Sequence, residues 1–170
     1  HNAVDYYRRH QLEMFWMGFT ADQTSRLQLL PRYIGRPRIP ASHPLLAEPW
    51  PTDGLAAEWE REIAAVDTKR AIDFRHYMLA MSRVFRRLAE RTNEGAPVVM
   101  VIGRSAWNGG HIPTAELFEE IAQQWFVTDE TLWYPVHNRY MSYTRRNGAN
   151  IDREHVIVLR RTDAPVDGLA

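Results

Sequence analysis

Pro97-Val98-Val99-Met100-Val101-Ile102-Gly103-Arg104-Ser105 is the stretch on which the fold turns. Its apolar run, Val98 to Ile102, is mostly β-branched and closes on Gly103, the pattern of a strand buried on both faces. Such a strand belongs in a parallel or mostly parallel sheet with helices on each side. Downstream, Arg104 to Ile112 reads as a loop carrying Gly109 and Gly110. Pro113 and Thr114 open a helix that runs to about Trp125, and Thr128–Val136 and Glu154–Leu159 read as two further strands. The expected class is α/β. In such sheets ligands gather at the carboxyl ends of strands, so Gly103-Arg104-Ser105 is the first place to look for a site.

Upstream of this stretch the chain reads as helical to residue 95. Asp5–Phe19 carries Leu12, Phe15, Trp16 and Phe19 at helical spacing, and Gly18 marks its end. Thr20 then caps a short helix with Asp22 in its first turn, limited by Pro31. Pro31, Pro37, Pro40, Pro44, Pro49 and Pro51 crowd the next stretch and exclude a continuing helix. This excursion, near 31–53, is a functional loop, a linker, or a surface segment wrapped over the helices. Leu55–Val66 resumes a helix. Thr68–Arg91 is a long amphipathic one, with Phe74, Tyr77, Met78, Met81, Val84, Phe85 and Leu88 on a core-facing stripe and Arg75, Arg83, Arg86 and Arg87 largely opposite. Asn93, Glu94 and Gly95 turn the chain into the strand. The organisation is thus a helical region over 1–95, a strand-helix-strand-strand unit over 96–161, and a flexible tail over 162–170.

Composition narrows the chemistry. At 170 residues one domain is the natural prior, and 45% hydrophobic residues suffice for a core. Net charge is zero, so no global field draws in a polyanion, and nucleic-acid binding would need a local basic stripe. Lys69 is the only lysine; the remaining basic residues are arginines, the better bidentate partners for phosphate and base edges. No cysteine is present, which excludes thiolate catalysis and cysteine-bound zinc and fits a cytoplasmic location. No segment has the ~20 consecutive apolar residues of a membrane span. The histidines show no metal-ligand spacing, and no nucleophile elbow, phosphate-binding loop or dinucleotide fingerprint is present.

Three polar clusters remain. The first is residues 1–10, with Asn2, Asp5, Tyr6, Arg8 and Arg9. The second is the Gly103-Arg104-Ser105 turn, with Trp107, Asn108 and His111 behind it. The third, residues 137–148, interleaves Arg139, Arg145 and Arg146 with Tyr140 and Tyr143 and ends in Asn147-Gly148. Arginine with tyrosine suits phosphate contact and base stacking, and equally an ordinary protein interface.

The order of these pieces resembles the carboxyl-terminal half of the DNA amino-methyltransferases, which modify N6 of adenine or N4 of cytosine. The matching residues are Val98 to Ser105, Ile112-Pro113-Thr114, Asn138-Arg139-Tyr140-Met141, Arg145 to Ala149 and Glu154 to Leu159. The amino end, with Asn2 to Tyr6, Arg8, Arg9, Leu12 and Trp16-Met17-Gly18, resembles the segment that follows the Pro-Pro-aromatic catalytic motif of those enzymes. The resemblance spans about half of the chain. It implies part of a class I, Rossmann-like methyltransferase sheet, mostly parallel with an antiparallel last strand, and an open edge at Val98–Ile102.

By the same resemblance, S-adenosylmethionine is the cofactor and DNA the partner, with methyl transfer to a flipped-out base amine. Asn2, Asp5 and Tyr6 would line the pocket mouth, and Arg8 and Arg9 would hold phosphate. Arg139, Tyr140, Arg145, Arg146 and Asn147 would contact the backbone or extruded base, and Gly103, Arg104 and Ser105 would form the pocket floor. The chain has no Pro-Pro dipeptide and no glycine-rich cofactor loop. Catalytic and cofactor groups would then come from a segment upstream of His1 or from a second chain that completes the sheet. Alternatives are an RNA methyltransferase acting on a guanine amine, and a non-catalytic nucleic-acid-binding half-domain that partners a catalytic chain.

Overall fold

The computed structural model describes residues 6–19, 22–35, 38–108, 110–136 and 153–163. Five α-helices are described: α1 (Tyr6–Trp16), α2 (Gln23–Leu29), α3 (Gly54–Val66), α4 (Thr68–Ala89) and α5 (Thr114–Ala122). The strands are β1 (Pro97–Gly103), β2 (Ser105–Trp107), β3 (Gly110–Ile112), β4 (Phe126–Pro135) and β5 (Arg153–Arg161). β2 and β3 make a hairpin where a loop was expected. Asn108, at φ 47°, takes the left-handed conformation that a two-residue hairpin turn requires.

The main sheet overturns the mostly parallel, Rossmann-like expectation. It has three strands in the order β1-β5-β4, and both pairings are antiparallel. β5 lies between β1 and β4 and runs against both, so those two strands point the same way without touching. The apolar run of β1 misled because both of its faces are apolar but only one is covered. Val98, Met100 and Ile102 pack toward the core, whereas Val99 and Val101 are 58% and 55% exposed. One covered face and one open face is the ordinary condition of an antiparallel sheet.

Helices α4 and α5 cover the inner face, and α3 packs against both of them. Phe85, Phe118 and Phe126 meet edge-on or tilted, with Phe85 centroids 5.8 and 6.3 Å from the other two, and Ile157, Leu159, Leu117 and Met78 close around them. The Asp67 side chain caps α4 by accepting from the Lys69 and Arg70 N–H groups. The stripe expected on α4 is buried, with Val84 and Leu88 half-buried at its margin. Leu79 and Ala80, off that stripe, are buried as well.

The proline-rich excursion explains the second buried face. It wraps α4, with Leu45 packed on Leu79 and Ala80. Asp73, 4% exposed on α4, accepts from the N–H groups of Arg38 at 3.1 Å and Ile39 at 2.8 Å. One carboxylate thereby satisfies two backbone donors that no secondary structure uses. Arg38 sits at φ 63°, a costly conformation for a bulky side chain, held by this pair of bonds. Arg75 adds a bond to the Leu46 carbonyl and lies 5.6 Å from the Trp50 ring centre, and Arg83 pairs with Glu48.

The amino end differs from expectation. α1 is kinked at His10, and Leu12, Phe15, Trp16, Met17 and Phe19 are exposed instead of facing a core. Thr20 lies outside the described residues; Asp22 accepts from the Ser25 N–H at the start of α2, which holds its carboxyl below the usual range.

Candidate nucleic-acid interface

Strand direction determines what meets at the sheet end. β1 finishes at Gly103 opposite Glu154 at the start of β5, and β4 finishes with Tyr134 opposite Glu154 and Pro135 opposite Arg153. Residues 137–152 therefore leave and re-enter the described structure beside the Gly103-Arg104-Ser105 turn. The described residues that flank the third polar cluster, the end of β4 and the start of β5, sit at the same sheet end as that turn, while the cluster itself lies outside the described residues.

Thr114 fixes the turn. Its buried hydroxyl accepts from the Ser105 N–H at 3.3 Å and donates to the Ile112 carbonyl at 3.3 Å. The start of β2, the end of β3 and the first turn of α5 are thus tied through one oxygen. Gly103 is buried, and Arg104 and Ser105 are half-buried.

The strand ends add groups that were expected only as strand, Trp133 and Tyr134, together with Arg153, which lies one residue outside the strand expected at Glu154–Leu159. The Arg153 guanidinium lies 4.6 Å from the centre of the Trp133 ring, which is 57% exposed. A guanidinium stacked on an indole that is open to solvent forms a platform for a base. Tyr134 donates its hydroxyl to Glu154, and this hydrogen bond to a carboxylate pushes the phenol above its ordinary value. A tryptophan and a tyrosine exposed at a strand terminus, next to an arginine-rich connection, were the available signal.

Of the other expected residues, Asn2 and Asp5 lie outside the described structure, as do Arg139, Tyr140, Arg145, Arg146 and Asn147. Tyr6, Arg8 and Arg9 lie on α1, and their side chains are not described. The Ser105 N–H, the backbone donor a ligand would need at the turn, is already bonded to Thr114. No group of three or more metal-ligating side chains occurs among the described residues. No described helix is long and apolar enough to cross a membrane.

No protein-family model, curated protein or solved structure matches this chain.

Proposed function

We propose that this chain is the nucleic-acid-contacting portion of a DNA amino-methyltransferase, with the catalytic motif and the S-adenosylmethionine loop supplied from outside this sequence. The observation that carries the reading is the register of β4 and β5 on either side of residues 137–152. It sets the roots of the arginine-tyrosine stretch beside Gly103-Arg104-Ser105 and the Trp133–Arg153 pair. Arg139, Arg145 and Arg146 serve phosphate contact. Trp133 with Arg153, and Tyr140, serve stacking of an extruded base. Phosphate contacts confer affinity and aromatic stacking holds an unpaired base, which is the division of labour a base-modifying enzyme requires.

The open edge of β1 supports the same reading. β1 pairs only with β5 among the described residues, and its outer residues Val99 and Val101 are half exposed. A strand from the catalytic segment, in this chain or another, would pair along that edge and remove its exposed hydrogen-bonding groups from water.

Salt-dependent binding to duplex DNA tests the reading. Arg145→Ala with Arg146→Ala should weaken binding and reduce the slope of log affinity against log salt by about 1.8, at roughly 0.9 for each phosphate no longer neutralised. Trp133→Ala should weaken binding to a duplex with an unpaired base more than to a perfect duplex. An unchanged salt slope together with an unchanged preference for the unpaired base would reject it. Structured RNA outcompeting duplex DNA would move the assignment to an RNA substrate.

A further inference from the structure

A second site lies at the other end of the molecule. β1 begins where α4 ends, and the last turns of α4 sit beside the start of β1 and the finish of β5, where the Arg161 side chain donates to the Ala89 carbonyl at 3.2 Å. Here α4, residues 31–34 and the turn at His43–Leu45 enclose a groove of about 570 Å³. That volume is in the range of small-molecule pockets.

Two chemistries dominate the lining, with Tyr33, His43 and His76 beside them. Leu45, Ala80, Val84 and Leu88 make an apolar floor, continuous with the small cluster that pins the excursion to α4. Arg32, Arg83, Arg87 and Arg91 stand around it, and no aspartate or glutamate lines the groove. Glu48 occupies Arg83 and Glu90 occupies Arg87. Arg32 and Arg91 have no acidic partner among the described residues. The chain as a whole is neutral, so two guanidiniums with no acidic partner among the described residues, set over an apolar floor, are a local feature and not a consequence of excess base.

We propose that this groove binds a small amphipathic anion: a carboxylate or phosphate group held by Arg32 and Arg91, on an apolar body that fills the space over Leu45, Val84 and Leu88. Guanidinium pairs carboxylate and phosphate with directional, charge-assisted hydrogen bonds. The apolar floor offers burial to the hydrocarbon part of such a ligand while its charged group meets the exposed arginines. A neutral molecule of the same apolar shape would leave the arginines unserved, and an inorganic anion would leave the floor wet. The assignment is independent of the function proposed for the opposite end of the sheet.

Calorimetric titration of the full chain with decanoate, decyl phosphate and 1-decanol tests it, with folding of each variant checked by circular dichroism. Both anions should bind at a single site, and the alcohol at least about tenfold more weakly, the size of one charge-assisted contact. Of the two anions, the tighter binder identifies the headgroup. Charge reversal by Arg32→Glu with Arg91→Glu should cut anion affinity by about tenfold or more while leaving the weak binding of the alcohol unchanged. Val84→Trp should abolish binding of all three by filling the floor, and Val99→Asp, on the distant open face of the sheet, should leave it intact. Equal affinity for alcohol and anions would overturn the proposal. So would full anion binding by the charge-reversed chain, or loss of binding on Val99→Asp.

Discussion

The Glu120 carboxylate on α5 accepts a hydrogen bond from the Ala56 backbone N–H at 2.9 Å, across a sequence separation of 64 residues. One helix is therefore capped by a side chain from another. Asp53 stands at the capping position of α3 but makes no side-chain bond there, and Glu120 does that work instead. Glu120→Ala should lower stability by about 1 kcal/mol, the usual cost of a lost cap, seen as a fall of about 2–4 °C in thermal midpoint.

The same carboxyl gives a pH dependence of defined sign. Burial pushes Glu120 above its ordinary value, the Ala56 and Leu55 N–H groups oppose the shift, and the charges of Glu58 and Asp53 add to it. The folded chain thus holds this proton more tightly than the unfolded chain does. Stability contributed by the protonated form is present at pH below the ordinary glutamate range and is lost as pH rises through the raised folded value. Glu120→Gln keeps an acceptor for Ala56 and removes the titration. Melts across the acid range should show the variant gaining on the parent as pH rises through that window. A constant difference at every pH would exclude the assignment.

Gly54 is constrained by the same contact. It sits at φ 83°, and a Cβ there would run into the Glu120 carboxylate. Gly54→Ala should cost about 1–3 kcal/mol through backbone strain and displacement of the cap. Combining it with Glu120→Ala should recover part of that loss, because the clash is gone; urea unfolding of the two single variants and the double variant measures the coupling.

Asp73 anchors the excursion to α4. Its removal leaves the Arg38 and Ile39 N–H groups without their acceptor, one of them buried. Asp73→Ala should cost about 3 kcal/mol, within the range for charge-assisted bonds to buried donors, and Asp73→Asn about half as much, since one carbonyl oxygen remains. Limited proteolysis should cut within 38–50 faster in the alanine variant than in the parent.

These residues also mark where the sequence could be read and where it could not. Periodic apolar positions from Phe74 to Leu88 made α4 legible, and Trp59 and Ile63 did the same for α3, whereas the Asp67 cap was not read. Asp73 was hidden within that periodicity, so the attachment of the excursion was not legible; neither was the second buried face at Leu79 and Ala80. Sheet topology was misread for a different reason. A strand with valines on both faces has no alternation to report which face is covered, and only the insertion of β5 between β1 and β4 decides it. At the candidate site, the end of the strand at Gly103 was legible from the apolar run that Gly103 closes. Trp133 and Arg153 were not, because their position depends on the register of β4 and β5.

The two faces of the main sheet should respond differently to the same chemical change. On the open face Val99 lies opposite Val158, and Val101 opposite Val156, which in turn faces Leu132 on β4. Water already covers much of Val99 and Val101, so Val99→Thr and Val101→Thr should each fall within about 0.5 kcal/mol of the parent. On the inner face Ile102 and Ile157 are 3% and 0% exposed. Ile102→Thr and Ile157→Thr place a hydroxyl in the core and should each cost about 2–3 kcal/mol, from reduced apolar burial and an unserved polar group. Urea melts of the four single variants make the comparison. Adding the catalytic segment or chain required by the proposed function should slow amide hydrogen exchange along β1, since a strand paired on that edge takes up its free backbone groups. If Val99→Thr and Val101→Thr already cost as much as the inner-face changes in the isolated chain, the outer face is covered there.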